Sequence, residues 1–187
     1  MGKKVIVFPG IGYHKDKPLL YYSRDLAWEA GYQEICVDFS GIRWEKDDLR
    51  KPDKIKEIFA QAMEKVLSEV EINGDDEFLF ISKSIGTVVA AWVAKEKGIR
   101  AKQIYFSPLV LLEEYAQEGG IAFYGDSDPL ADAKEIERIC AEKKIKAYKT
   151  TGGNHSLEIN DTEENLKNLA EIMQRVKSYI QNGDGMV

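Results

Sequence analysis

Apolar residues along this chain fall into two registers. Five short stretches are hydrophobic at nearly every position: Val5-Ile6-Val7-Phe8, Ile35-Cys36-Val37, Phe78-Leu79-Phe80-Ile81, Ile104-Tyr105-Phe106 and Ile121-Ala122-Phe123-Tyr124. Unbroken apolar runs of this length mark strands covered on both faces. Between them the apolar residues recur at i, i+3, i+4 and i+7, which predicts helices over 18–30, 52–72, 85–97, 131–143 and 162–181. The second helix starts at Pro52 and stacks Ile55, Ile58, Phe59, Ala62, Met63, Val66, Leu67 and Val70 on one stripe. The last has Asp161 as cap with Glu164 three residues on, and its stripe is Leu166, Leu169, Met173, Val176 and Ile180. Gly31 and Gly98 stop the first and third helices. A sixth strand over 145–150 carries Lys146 and Lys149 among its apolar positions, which suits a sheet edge.

Strands alternating with helices through short connections predict an α/β fold: three α/β/α layers around a mostly parallel six-stranded sheet. The expected organisation is one domain over 1–182 followed by a fraying tail at 183–187. In such sheets ligands bind beyond the carboxyl ends of the strands. The loops after each strand are therefore where chemistry is to be sought.

Composition narrows the choice of chemistry. The chain has 187 residues, 44% of them hydrophobic, which is enough for a packed core without disulfides. Cys36 and Cys140 lie on elements expected to be buried and read as space-filling thiols of a reduced, cytoplasmic protein. With two histidines and no Cys-x-x-Cys spacing, no metal site or cofactor is expected. The net charge of −6 disfavours nucleic acid as a partner, and the clusters Lys95/Lys97/Arg100 and Lys143/Lys144/Lys146 fall at helix C-termini, where cations complement the dipole. The first apolar run is too short for a signal peptide or membrane span, and Ile6 breaks the myristoylation pattern, so neither export nor a membrane partner is expected. Trp28, Trp44 and Trp92 read as packing residues.

After the third strand comes Ile81-Ser82-Lys83-Ser84-Ile85-Gly86-Thr87 and then an apolar helix. A serine with small residues two before and two after it, on a strand-to-helix turn, fits a nucleophile above a helix N-terminus, although Ser82 and Ser84 are equally suited to capping that helix. A serine nucleophile needs a base, and only His14 and His155 are available. His155 follows the sixth strand in Thr151-Gly152-Gly153-Asn154-His155-Ser156, on a loop whose glycines permit tight geometry. A carboxylate to orient it is offered after the fifth strand by Tyr124-Gly125-Asp126-Ser127-Asp128-Pro129, where Asp126 and Asp128 are both candidates and both plausible turn residues. Other readings of these loops fail. Gly10-Ile11-Gly12 matches half of a dinucleotide fingerprint, because Lys15 holds the third glycine position, and Glu77 and Ser82 stand where a P-loop needs glycines.

With these motifs in order, the chain resembles the α/β-hydrolase family over nearly its whole length, as a small member without a cap. The resemblance implies Ser84 as nucleophile, Asp128 rather than Asp126 as acid, because Gly125-Asp126-Ser127-Asp128 fits the family's Gly-x-x-Asp setting, and His155 as base. It further implies that the loop Phe8-Pro9-Gly10-Ile11-Gly12-Tyr13-His14 contributes an oxyanion N–H from Ile11, or from Gly12 as substitute, with the second from Ile85. Two departures stand out: Ser82 replaces the first glycine of Gly-x-Ser-x-Gly, and Pro9-Gly10 replaces the frequent His-Gly.

The expected activity is hydrolysis of a small acyl ester, thioester or amide through an acyl-enzyme, with a non-catalytic binding or scaffold protein of the same fold as the alternative. Gly12, Tyr13, His14, Lys83 and Leu109 are candidate substrate-lining residues. Leu109 to Leu112 stand as a candidate acyl wall, equally suited to packing, and Tyr13, Tyr21 and Tyr22 as a candidate rim with core packing as the alternative, and an ordinary exposed histidine is the competing reading of His14.

Overall fold

A computed structural model describes residues 2–45, 48–70 and 76–183. The strands are β1 (Lys3–Phe8), β2 (Gln33–Cys36), β3 (Glu77–Lys83), β4 (Lys102–Phe106), β5 (Ile121–Gly125) and β6 (Lys146–Thr150). The helices are α1 (Pro18–Glu29), α2 (Pro52–Glu69), α3 (Ile85–Glu96), α4 (Ala133–Glu142) and α5 (Thr162–Asn182). The sheet runs in the order β2-β1-β3-β4-β5-β6 and every pairing in it is parallel, so the expected mostly parallel sheet is fully parallel among the described residues.

Alternation along the strands sorts the core into two sides. Ile6, Phe8, Phe78 and Phe80 pack under α2 and α3, while Val5, Val7, Leu79, Ile81, Ile104 and Phe106 pack under α1 and α5. Tyr105, Ala122 and Tyr124 meet α4 through Ile136 and Cys140. No helix among the described residues is long and apolar enough to cross a membrane.

Several expected stripes shift. α5 buries Ile172, Val176, Tyr179 and Ile180, while Leu166 is 63% exposed; its first turns meet β6 and the loop after it through Asn165 and Asn168 instead. On α2, Ile58, Phe59, Ala62 and Val66 are buried but Leu67 faces solvent, at the side of a stripe centred on Ile58 and Val66. α2 ends at Glu69, short of the expected 72, because Val70 already takes an extended backbone, φ −117° and ψ 111°; tail residues 184–187 lie outside the described residues. α4 begins two residues later than the spacing predicts, because the Asp132 side chain accepts the Lys134 and Glu135 N–H groups and so caps it. Trp28 is 77% exposed on α1 and Trp44 is also exposed, so neither is a core residue. Cys140 is buried, whereas Cys36, on edge strand β2, is only half-buried.

The strand order places β1 beside β3, although α1, β2 and α2 intervene in the chain. The loops leaving β1 and β3 turn to opposite faces there, opening a crevice at the carboxyl ends of both strands.

Candidate active site

Ser84 occupies the turn between β3 and α3 with φ +55° and ψ −125°, a left-handed backbone that is costly for a residue with a side chain. The conformation is held from outside: Ser84 N–H donates to Phe106 O at 2.9 Å, and Thr87 Oγ1 donates to Ser84 O at 2.6 Å. Neither candidate serine caps α3. Ser84 makes no side-chain cap bond, and Ser82 Oγ donates across to Ile104 O at 2.9 Å. That bond explains why a serine is accepted at Ser82, since the hydroxyl is wholly buried yet satisfied. Gly86 has no such latitude: a Cβ there would lie 2.3 Å from Phe8 O and 2.4 Å from Pro9 O, so its absence lets α3 press against the end of β1.

The Ser84 hydroxyl donates to His155 Nε2 at 2.8 Å, and His155 Nδ1–H donates to Asp128 Oδ2 at 2.6 Å. An ionised carboxylate only accepts, which assigns the proton to Nδ1 and leaves Nε2 free to accept. Asp128 is anchored in turn by Leu130 N–H on its Oδ1, at 2.8 Å. Asp126 is used differently: its Oδ1 accepts Gly152 N–H at 2.6 Å, tying the turn after β5 to the histidine loop. Burial lowers the His155 pKa, the Lys83 charge lowers it further, and Asp128 opposes both.

The loop after β1 lies against this row. A Cβ on Gly10 would sit 3.2 Å from Ser84 Cβ, and Gly12 takes φ +76°. Ile85 is the first residue of α3, so its N–H has no acceptor within the helix, and neither it nor the Ile11 N–H is bonded among the described residues. Ile11 and Gly12 line a cavity of about 560 Å³, together with His14, Phe39, Ile42 and Trp44. His14 is largely exposed at its edge and accepts the Asp16 N–H. Cys36 borders the same cavity, but burial and the Glu34 carboxylate push its thiol up to about 12, leaving it protonated and a poor nucleophile.

Three expected lining residues lie elsewhere. Lys83 is fully buried, and its Nζ donates to His155 O at 2.6 Å. Tyr13 turns its ring under that ammonium, 5.1 Å from centroid to Nζ, and its hydroxyl accepts Leu19 N–H. Leu109 is buried in the core with Ile85 and Val89. Leu112 is likewise core, so the four-residue apolar wall does not form, and Tyr21 and Tyr22 pair edge-to-face on the exposed side of α1. Phe39, Ile42 and Trp44 escaped sequence reasoning because they follow the short edge strand β2 without a motif. Ser107, whose Oγ donates to His155 O at 2.9 Å, also escaped it, its one signal being a polar residue directly after a buried strand. No group of three or more His, Cys, Asp or Glu able to hold a metal ion occurs among the described residues.

Comparison with known proteins extends the picture. The chain is similar in fold to Est1E from Butyrivibrio proteoclasticus, with TM-score 0.66, 12% identity, and 97% of this chain and 88% of that one covered. It is similar also to the esterase Pf2001 of Pyrococcus furiosus, with TM-score 0.65, 14% identity and coverage of 98% and 84%. A Xanthomonas campestris α/β serine hydrolase without a lid gives TM-score 0.58, 12% identity and coverage of 96% and 79%. No curated protein sequence matches. A family model for the alpha/beta hydrolase domain matches residues 2–181, and on that span the chain belongs to the α/β-hydrolase family.

Proposed function

We propose that this protein is a serine hydrolase that cleaves small acyl esters, or related thioesters or amides, by way of an acyl-enzyme. The observation that carries this reading is the hydrogen-bonded row from Ser84 through His155 to Asp128, set on a strained turn above a helix N-terminus. His155 Nε2 takes the Ser84 proton as the oxygen attacks the acyl carbon, and Asp128 holds the tautomer and stabilises the imidazolium. The same nitrogen then delivers the proton to the leaving group and afterwards activates the water that releases the acyl group. The oxyanion is met by the N–H groups of Ile85 and Ile11, each donor contributing about 3 kcal/mol in sites of this kind.

The cavity bounded by Ile11, Phe39, Ile42 and Trp44 suits a small apolar acyl or alkoxy group, within the roughly 300–1,000 Å³ usual for small-molecule pockets. The Pyrococcus furiosus esterase to which the fold is similar points toward ester substrates. Fluorophosphonate labelling tests the reading directly. The wild-type protein is expected to be modified at Ser84 and the Ser84→Ala variant to remain unlabelled. A folded wild-type protein that does not react, and does not hydrolyse p-nitrophenyl acetate, would favour the scaffold alternative.

A further inference from the structure

Lys83 is wholly buried, and the proposed chemistry gives its ammonium no task. Burial brings its pKa down to about 7 even though Asp128 pulls the other way, so the site is a costly one for a charge. An apolar side chain of similar length would fill the same space without that cost. What such a side chain could not do is donate, and Lys83 Nζ donates at 2.6 Å to the backbone carbonyl of His155. Ser107 Oγ donates to the same oxygen at 2.9 Å. A carbonyl oxygen has two lone pairs. Here both are taken, one by a donor from the end of β3 and the other by a donor from the residue after β4. Ser107 is itself held in a left-handed conformation, φ +43°, by its N–H bond to Phe123 O.

We propose that Lys83 and Ser107 are positioning residues that clamp the His155 backbone between two strands and thereby fix the imidazole over Ser84. The inference rests on the serine-hydrolase reading. The loop needs such a restraint: His155 lies in the 151–161 connection, outside any strand or helix, and its ring must meet Ser84 and Asp128 at once. The two donors differ in one respect, because only Lys83 brings charge. The groups facing it are Asp128, His155 and the Tyr13 phenol, which burial pushes up to about 12 and which Glu158 also acts upon. The ammonium disfavours the imidazolium, so removing it raises the His155 pKa.

The test compares Lys83→Met and Ser107→Ala with wild type in p-nitrophenyl acetate hydrolysis across pH and in the rate of fluorophosphonate labelling. Both variants are expected to lower kcat by about tenfold to a hundredfold with KM little changed. The acid limb of kcat/KM is expected to move to higher pH in Lys83→Met and to stay in place in Ser107→Ala, a difference that general loosening of the fold would not produce. Should Lys83→Met fail to fold, Ser107→Ala decides alone, and wild-type kcat in that variant overturns the clamp. Wild-type labelling rates and an unmoved limb in a folded Lys83→Met also overturn it while leaving the serine-hydrolase reading intact. An unreactive wild-type protein would bring down both.

Discussion

Gly125, the last residue of β5, lies where the acid-bearing turn begins, directly against the histidine loop, and Gly125→Ala probes how tightly the site is tied together. A Cβ on this residue would lie 2.1 Å from Gly153 O and 2.8 Å from Asn154 O, against 3.4 Å or more for ordinary contact. Both obstacles are backbone atoms, so no side chain can swing aside. The loop would have to retreat by more than about 1 Å. That retreat is opposed by Ser127 N–H to Gly153 O at 3.0 Å and by Asp126 Oδ1 on Gly152 N–H. Overpacking of this kind costs about 1–3 kcal/mol, and for a domain of this size each kcal/mol lowers the melting temperature by roughly 2–4 °C. The larger consequence concerns the row, because His155 adjoins Asn154 and its Nε2 must stay near 2.8 Å from Ser84 Oγ. A displacement of about 1 Å in a reacting group costs on the order of a hundredfold in rate. Thermal melting together with kcat/KM for p-nitrophenyl acetate, measured well below the transition, separates the two effects. An alanine variant with wild-type stability and wild-type kcat/KM would refute the packing argument and the coupling between this contact and the row.

Two further predictions concern the titrating groups. Asp128→Asn removes the acceptor that fixes the His155 tautomer and is expected to lower kcat by up to about 10⁴-fold, whereas Asp126→Asn keeps an oxygen for Gly152 N–H and is expected to have a small effect; the reverse order would reassign the acid. His155 acts as a base only when neutral, and burial together with the Lys83 charge lowers its pKa, so kcat/KM is expected to rise with pH along a limb whose midpoint lies below the ordinary imidazole value of about 6.5. A midpoint above that value, in a profile recorded at constant ionic strength, would contradict the assigned environment.

Much of this arrangement is written locally. Unbroken apolar runs such as Phe78 to Ile81 and the helical stripe around Ile58 and Val66 depend only on side-chain period, and they determine the layers, the strand count and the loops that carry polar residues. Ser84, Asp128 and His155 were legible because each stands beside glycine or other small residues at a strand end, and because their order in the chain follows a known pattern. Long-range facts were not legible. Asp126 and Asp128 share one turn and one chemistry, so the residues alone leave both open and only the family pattern favours Asp128; the path of the loop after β6 is what brings Asp128 to His155 and Asp126 to Gly152. Lys83 reads as a polar loop residue, yet it is the last residue of β3, where strand alternation puts it on the face of Leu79 and Ile81, and its ammonium reaches a carbonyl far along the chain. Leu109 and Trp44 exchange their expected places for the same reason: hydrophobicity says that a side chain favours burial, but the neighbours that bury it, or leave it at the edge of a cavity, come from elsewhere in the fold.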